Sequence, residues 1–162
     1  MRSTLIKTLV VACLALLAGC GFQLRGQNVL PFKAVYVNAA PHSTLAATLE
    51  KQLEIRDKLA TTRKQADLIV TLADETQSKS ILTLSTAGKV QEYRLTHSVT
   101  VSANDATGNE LLAPTDTIET RDFTYNPGQI LASEAFEATL NNDMDRAAAN
   151  QILRRLSFIR KQ

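Results

Sequence analysis

The sequence predicts an α+β domain, with two helices packed on one face of a mostly antiparallel sheet, and three observations predict it. Residues 92–103 alternate between apolar and polar side chains. Two stretches, one after Ser43 and one after about Leu131, repeat apolar residues at helical spacing. The segments come in the order β-α-β-β-β-β-α, in which helices flank a run of strands and do not alternate with them.

Lys33-Ala34-Val35-Tyr36-Val37 follows Pro31 and reads as the first strand, broken by Asn38-Ala39-Ala40-Pro41-His42. Ser43 caps a helix start. Leu45, Leu49 and Leu53 then recur every four residues, with Ala46 and Leu59 widening the stripe and Glu50, Lys51 and Asp57 largely opposite. That pattern predicts an amphipathic helix of about four turns. Asp67 to Leu72 reads as a strand and Ser80 to Leu84 as the start of another, with Asp74-Glu75 between them as a solvated turn. Ala87-Gly88 marks a turn.

The clearest strand follows. Tyr93, Leu95, Val99, Val101 and Ala103 share one face with His97, and Glu92, Arg94, Thr96, Ser98, Thr100 and Ser102 share the other. Such alternation belongs to a sheet covered on one side only. Asn104 to Asn109 is a hairpin loop, and a last strand runs within Thr115 to Thr124, ended by Tyr125-Asn126-Pro127-Gly128. From about Leu131 a long helix carries Phe136, Leu140, Met144, Ala147 or Ala148, Ile152, Leu156 and Ile159 along one stripe. Glu134 and Glu137 near its start and Arg154, Arg155 and Arg160 near its end suit the helix dipole.

Ahead of this domain lies a leader. Arg2 and Lys7 form a basic region, Leu9 to Leu17 an apolar one, and Ala18-Gly19 a small-residue cleavage signal. The apolar part is about half the ~20 residues a spanning helix requires, so residues 1–19 read as a cleaved export signal. Leu17-Ala18-Gly19-Cys20 looks like a bacterial lipobox, in which the cysteine sulfur takes a diacylglycerol and the new amine is acylated. Each buried methylene contributes about 0.8 kcal/mol and two chains suffice for stable anchoring, so three would fix the protein to a bilayer. Gly21 stands where an Asp commonly signals inner-membrane retention, which favours the outer membrane. Residues 20–162 then form a single domain.

Cysteine and charge narrow the function classes. Cys13 falls in the leader and Cys20 carries lipid, which leaves the mature chain no thiol for a disulfide or a cysteine-built metal site. Arg2 and Lys7 account for two of the 18 Lys and Arg, so 16 remain against 16 Asp and Glu, and nucleic-acid binding loses its compositional footing. The chain has no Gly-x-Ser-x-Gly, phosphate loop, dinucleotide fingerprint or His-Glu-x-x-His. His42 sits in a loop, and His97 reads as a hydrogen-bonded core residue. No catalytic set, metal site or cofactor is expected. Lys89 and Arg94 near the Gly88 turn, with Arg121 on a neighbouring strand, form a candidate cluster for phosphate groups. On these residues alone, a generic periplasm-facing lipoprotein that binds peptidoglycan or assists outer-membrane protein folding stays open.

Four stretches carry a resemblance. Cys20-Gly21-Phe22-Gln23-Leu24-Arg25-Gly26 is similar to the mature start of the LPS-assembly lipoprotein LptE family. So are Ala87-Gly88-Lys89-Val90-Gln91-Glu92-Tyr93-Arg94-Leu95, Asn126-Pro127, and the run from Asp143-Met144-Asp145-Arg146-Ala147-Ala148 through Gln151-Ile152-Leu153-Arg154-Arg155-Leu156 to Ile159-Arg160. They span nearly the whole mature chain in the family's order. The resemblance implies two helices on a four-stranded, mostly antiparallel or mixed sheet. It also implies a non-enzymatic outer-membrane lipoprotein that plugs the β-barrel LptD in a 1:1 complex, assists its assembly and binds lipopolysaccharide on the way to the outer leaflet. The loop around Ala87-Gly88 and the strand from Val90 to Ser102 are then the expected contacts with barrel or ligand. Some relatives carry basic residues beside the Gly turn and at the start of the last helix. This chain has Ser85-Thr86 and Ser133-Glu134 there, so Lys89, Arg94 and Arg121 are the candidate lipopolysaccharide-binding residues.

Overall fold

A computed structural model describes residues 30–159. Cys20, the leader and the tether between Cys20 and Leu30 lie outside the described residues. The elements run β1 (Val35–Asn38), α1 (Thr44–Glu54), a short 3-10 turn (Arg63–Gln65), β2 (Leu68–Leu84), β3 (Val90–Asp105), β4 (Glu110–Thr124) and α2 (Ile130–Ser157). The strands pair in chain order, β1 parallel to β2 and the other pairs antiparallel. Both helices lie against one face, so the expected α+β layer with a four-stranded mixed sheet is what forms.

Four boundaries differ from the sequence-based expectation. The segments read as two strands, Asp67–Leu72 and Ser80–Leu84, are one 17-residue strand, β2. The polar run between them is a bulge and its continuation: the register shifts between Ala73 and Thr76, and Asp74 takes φ 51°. A bulge adds a residue and breaks the two-residue period, which is why the run imitates a turn. Second, β4 begins at Glu110, upstream of Thr115, and includes Pro114. Proline donates no ladder hydrogen bond, but β4 is an edge strand and tolerates it. Third, α1 stops after 11 residues. Leu59 lies beyond it, where Val35 N–H donates to Lys58 O at 2.7 Å and Ala60 N–H to Val35 O at 2.8 Å. Leu59 thus closes the outer edge of β1 and does not extend the helical stripe. Finally, Ile159 lies past the end of α2.

Local chemistry fixes the rest. Ser43 caps α1 as expected, its Oγ accepting from Ala46 N–H at 2.9 Å. The Asp67 carboxylate accepts from the backbone N–H of Lys33 and Ala34 and pins the entry to β1. Gly88, at φ 73°, closes the β2–β3 turn, where Ser85 and Lys89 pair through their backbones. At the opposite hairpin Asp105 accepts from Thr107 and Asn109 through side chain and backbone alike, which lowers its pKa to about 2.

On the helix side of the sheet, the core among the described residues is two apolar clusters, not one. The larger joins Leu45, Leu49 and Leu53 of α1 to Val35, Val70, Val99 and Val101 of the sheet and to Ala148, Ile152 and Leu156 of α2. A smaller one, Leu95, Phe123 and Met144 with Tyr93 and Leu140, lies further toward the β2–β3 turn. α1 and β1 belong only to the first, so the distal half of the molecule is three strands and the opening turns of α2. Leu49 is fully buried in the larger cluster. Leu49→Ala is expected to lower unfolding free energy by about 3 kcal/mol, through lost transfer energy and the cavity left behind. Urea denaturation of the mature domain measures this, and a loss well under 1 kcal/mol would contradict the packing.

Candidate functional site

The face of the sheet away from the helices is paved with hydroxyls. Register places Ser98 of β3 between Thr76 and Ile118, Thr96 between Ser78 and Thr120, and Thr100 between Ala73 and Asp116. Side chains alternate along a strand, so these rows share the uncovered side with Ser80, Arg94 and Asp122. Thr100 donates to Asp116 at 2.8 Å, and the Arg94 guanidinium makes two 2.8 Å bonds to the Asp122 carboxylate. Such a surface offers donors and acceptors of both kinds at little desolvation cost. Among the described residues, only its proximal end is roofed, by Ala60 and Ala66 packing with Ile69.

The structure does not gather the three candidate cations. Arg94 stands opposite Asp122 on the open face, and Arg121 stands opposite Leu95 on the helix-covered face. One residue of register separates opposite sides of a sheet. Arg121 donates to the Glu119 carboxylate at 3.3 Å and to the Thr120 carbonyl. The Asp122 hydrogen bonds, and then its charge, hold Arg94 protonated, and the same bonds lower the pKa of Asp122. Lys89 sits apart in the β2–β3 turn, where its backbone N–H donates to Ser85 Oγ.

Between the two apolar clusters lies a buried polar centre. His97, 3% exposed, occupies the covered face of β3 between Leu95 and Val99. Its Nδ1 approaches Asp145 Oδ1 of α2 at 2.9 Å, and its Nε2 lies 3.2 Å from Glu75 Oε1 in the β2 bulge. Glu75 Oε2 in turn accepts from the α1 cap, Ser43 Oγ. The Nδ1–Asp145 approach is short but poorly aligned for a hydrogen bond, and neither atom has another such partner. Asp145, and with it Glu75, raises the pKa of His97 above the ordinary value against the opposing pull of burial. Two carboxylates about one imidazole clamp β3 to the β2 bulge and to α2.

With this geometry in place, comparison with known proteins assigns the chain. A family model described as "LptE: Lipopolysaccharide-assembly" matches residues 32–156, which include every strand and nearly all of α2. The chain belongs to the LptE family. Among its LptE relatives is an LPS-assembly lipoprotein LptE of Photorhabdus laumondii, 28% identical over 160 residues that cover 96% of this chain and 87% of that protein. The Pectobacterium atrosepticum protein of the same name is 26% identical over 164 residues, 98% of this chain and 88% of that one. The solution structure of lipoprotein B from Nitrosomonas europaea superposes with a TM-score of 0.72 at 34% identity, over 85% of this chain and 90% of that one. Rare lipoprotein B from Shewanella oneidensis shares the fold, with a TM-score of 0.66 at 19% identity over 76% and 93% of the two chains.

Within this LptE fold the sequence reading finds His97 but misses its partners. Asp145 carries a signal: it keeps helical step with Ala148, Ala149 and Ile152, so a carboxylate stands in a buried stripe. Glu75 carries none, because the bulge that turns it inward is a backbone event. Removing one partner of a buried pair strands the other charge, so Asp145→Ala is expected to destabilise by about 3–5 kcal/mol. Because the folded-state pKa of His97 is raised, its contribution is complete below about pH 6.5 and is lost as pH rises through the folded value. The urea midpoint should fall across that window. In the double variant His97→Gln, Asp145→Asn that fall should disappear, and a persisting one would assign it to other groups.

Proposed function

We propose that the chain is a non-enzymatic outer-membrane lipoprotein of lipopolysaccharide assembly. It is anchored by lipid on Cys20 and seated as a 1:1 plug in the lumen of the β-barrel LptD, whose assembly it assists. Membership of the LptE family over residues 32–156 carries this reading, since the curated relatives bear the name LPS-assembly lipoprotein. The open hydroxyl face supports it: barrel interiors are polar and wet, and a plug surface must exchange hydrogen bonds with water for hydrogen bonds with the wall.

The fold also orients such a plug. Nine residues lie between Cys20 and Leu30, a reach of at most about 35 Å, and the described chain enters the sheet from Leu30 at the start of β1. Strand β2 runs 17 residues, about 55 Å, away from that end. The Gly88 turn and Lys89 therefore lie at the end of the domain opposite the point where the chain enters it, where a ligand leaving the membrane would be met. Arg94 and Arg121 already have carboxylate partners, so among the three candidates Lys89 is the cation we assign first to lipopolysaccharide phosphates.

Two measurements test the proposal. The tagged full-length protein, purified in mild detergent, should bring down a large β-barrel at equal stoichiometry, and recovery without it would sink the plug reading. Lys89→Ala should weaken lipopolysaccharide binding by the mature domain several-fold, as expected for loss of one charge-assisted contact. Adding Arg94→Ala should weaken it further, and unchanged affinity in both variants would remove these residues from the ligand site.

A further inference from the structure

The two edges of the sheet are not equally defended. β4 carries Pro114, two register irregularities against β3, and the charged residues Glu110, Asp116, Glu119, Arg121 and Asp122. Proline, bulges and charges are the features by which edges avoid pairing with other strands. On the opposite side β1 covers only Leu68 to Thr71 of β2, and Lys58 to Ala60 close the outer edge of β1 itself. The loop from Ala40 to Thr44 then stands beside Glu75 and Gln77 across an open crevice. Beyond Gln77 no described element lies against the outer edge of β2. Its sequence there, Ser78-Lys79-Ser80-Ile81-Leu82-Thr83-Leu84, has no proline and one charge, and Lys79 is drawn inward to Glu137 and the Tyr93 ring. Ile81 and Leu84 are 56% and 55% exposed.

We propose that this outer edge of β2, residues 78–84, is a strand-addition site, and that its occupant is an extended segment of the β-barrel partner. An unpaired row of backbone N–H and C=O groups is satisfied along its length only by another extended backbone. The rows of the sheet specify the side chains that backbone brings. Phe123, Tyr93 and Ile81 form one row on the helix side, which an added strand extends with an apolar residue. Asp122, Arg94 and Ser80 form the next row on the open side, which it extends with a polar one. The occupant is therefore a strand of about six residues with apolar and polar side chains in alternation, stopped at one end by the Ala40–Thr44 loop. This inference rests on the barrel reading above, but the plug can form without it through the open face alone.

Photo-crosslinking residues at position 81, and at position 55 beyond the end of α1 as a control away from the open face, separate these cases in full-length protein co-produced with the barrel. The two sites are 56% and 72% exposed, so accessibility does not favour position 81. Position 81 should cross-link to the barrel about tenfold more than position 55, and Ile81→Lys should cut recovered barrel about tenfold while Ile55→Lys does not. Unchanged melting of both variants keeps a folding defect from imitating the result. Barrel recovered in full by Ile81→Lys, or cross-links equal at the two positions, overturns strand addition and leaves the plug intact. Cross-links between two copies of this chain overturn it in favour of self-pairing. No barrel with the unaltered protein overturns the plug reading, and with it this occupant.

Discussion

A buried histidine held between two carboxylates divides this molecule. His97 occupies a position on β3 that the alternation of the strand reserves for the core, with Leu95 on one side and Val99 on the other. Its partners come from the β2 bulge and from α2, and the cap of α1 leans on the bulge through Ser43. A charge in such a place is tolerated only when paired, so the clamp fixes the height of α2 on the sheet and the direction of the bulge together. The apolar core cannot run through it. One cluster forms below, with both helices, and a smaller aromatic one forms above, with α2 alone.

The consequence is a molecule with two different ends. At the β1 end, every strand has a neighbour and the sheet is roofed on part of both faces. Beyond His97 the described sheet narrows to three strands, no described element covers its outer face, and aromatic rings join Leu95 and Met144 in the apolar packing. Tyr93 meets Phe123 and Tyr125 at centroid separations of 5.8 and 5.3 Å, and Phe136 reaches Phe123 at 6.2 Å. Phe136, Ile130 and Leu131 at the start of α2 stay half or more exposed. The distal half thus has less burial to hold it and more surface to offer, which suits the end of a domain that works against another molecule.

Much of this was legible in the sequence where chemistry is periodic. The alternation from Glu92 to Ala103 identifies β3, its covered face and its hydroxyl face without error, and the four-residue leucine spacing identifies α1. The features that escaped are those where the backbone departs from a period. Asp74 at positive φ hides the continuity of β2, and Pro114 hides the first half of β4, because a lone proline in an edge strand resembles a terminator. The candidate site was legible in its residue types but not in its grouping. Arg94 and Arg121 are both basic and both on adjoining strands, yet whether they share a face depends on a register that no single strand contains.

That register also decides how charge is spent on the open face. The chain could present Arg94 to solvent, but the antiparallel pairing sets Asp122 beside it and fixes both side chains in a two-point bond. The result is a face whose charges are satisfied internally and whose remaining polarity is hydroxyl. A bare cation facing a polar wall would demand a matching anion and lose its hydration to meet it, whereas Ser and Thr rotate to donate or accept as the wall requires. A surface of this kind fits many polar neighbours moderately and repels few. On the proposed plug reading, selectivity comes from the narrower features at the distal end: the turn cation, the half-exposed aromatics and the outer edge of β2. The division imposed by His97 is what keeps those features together and away from the β1 end.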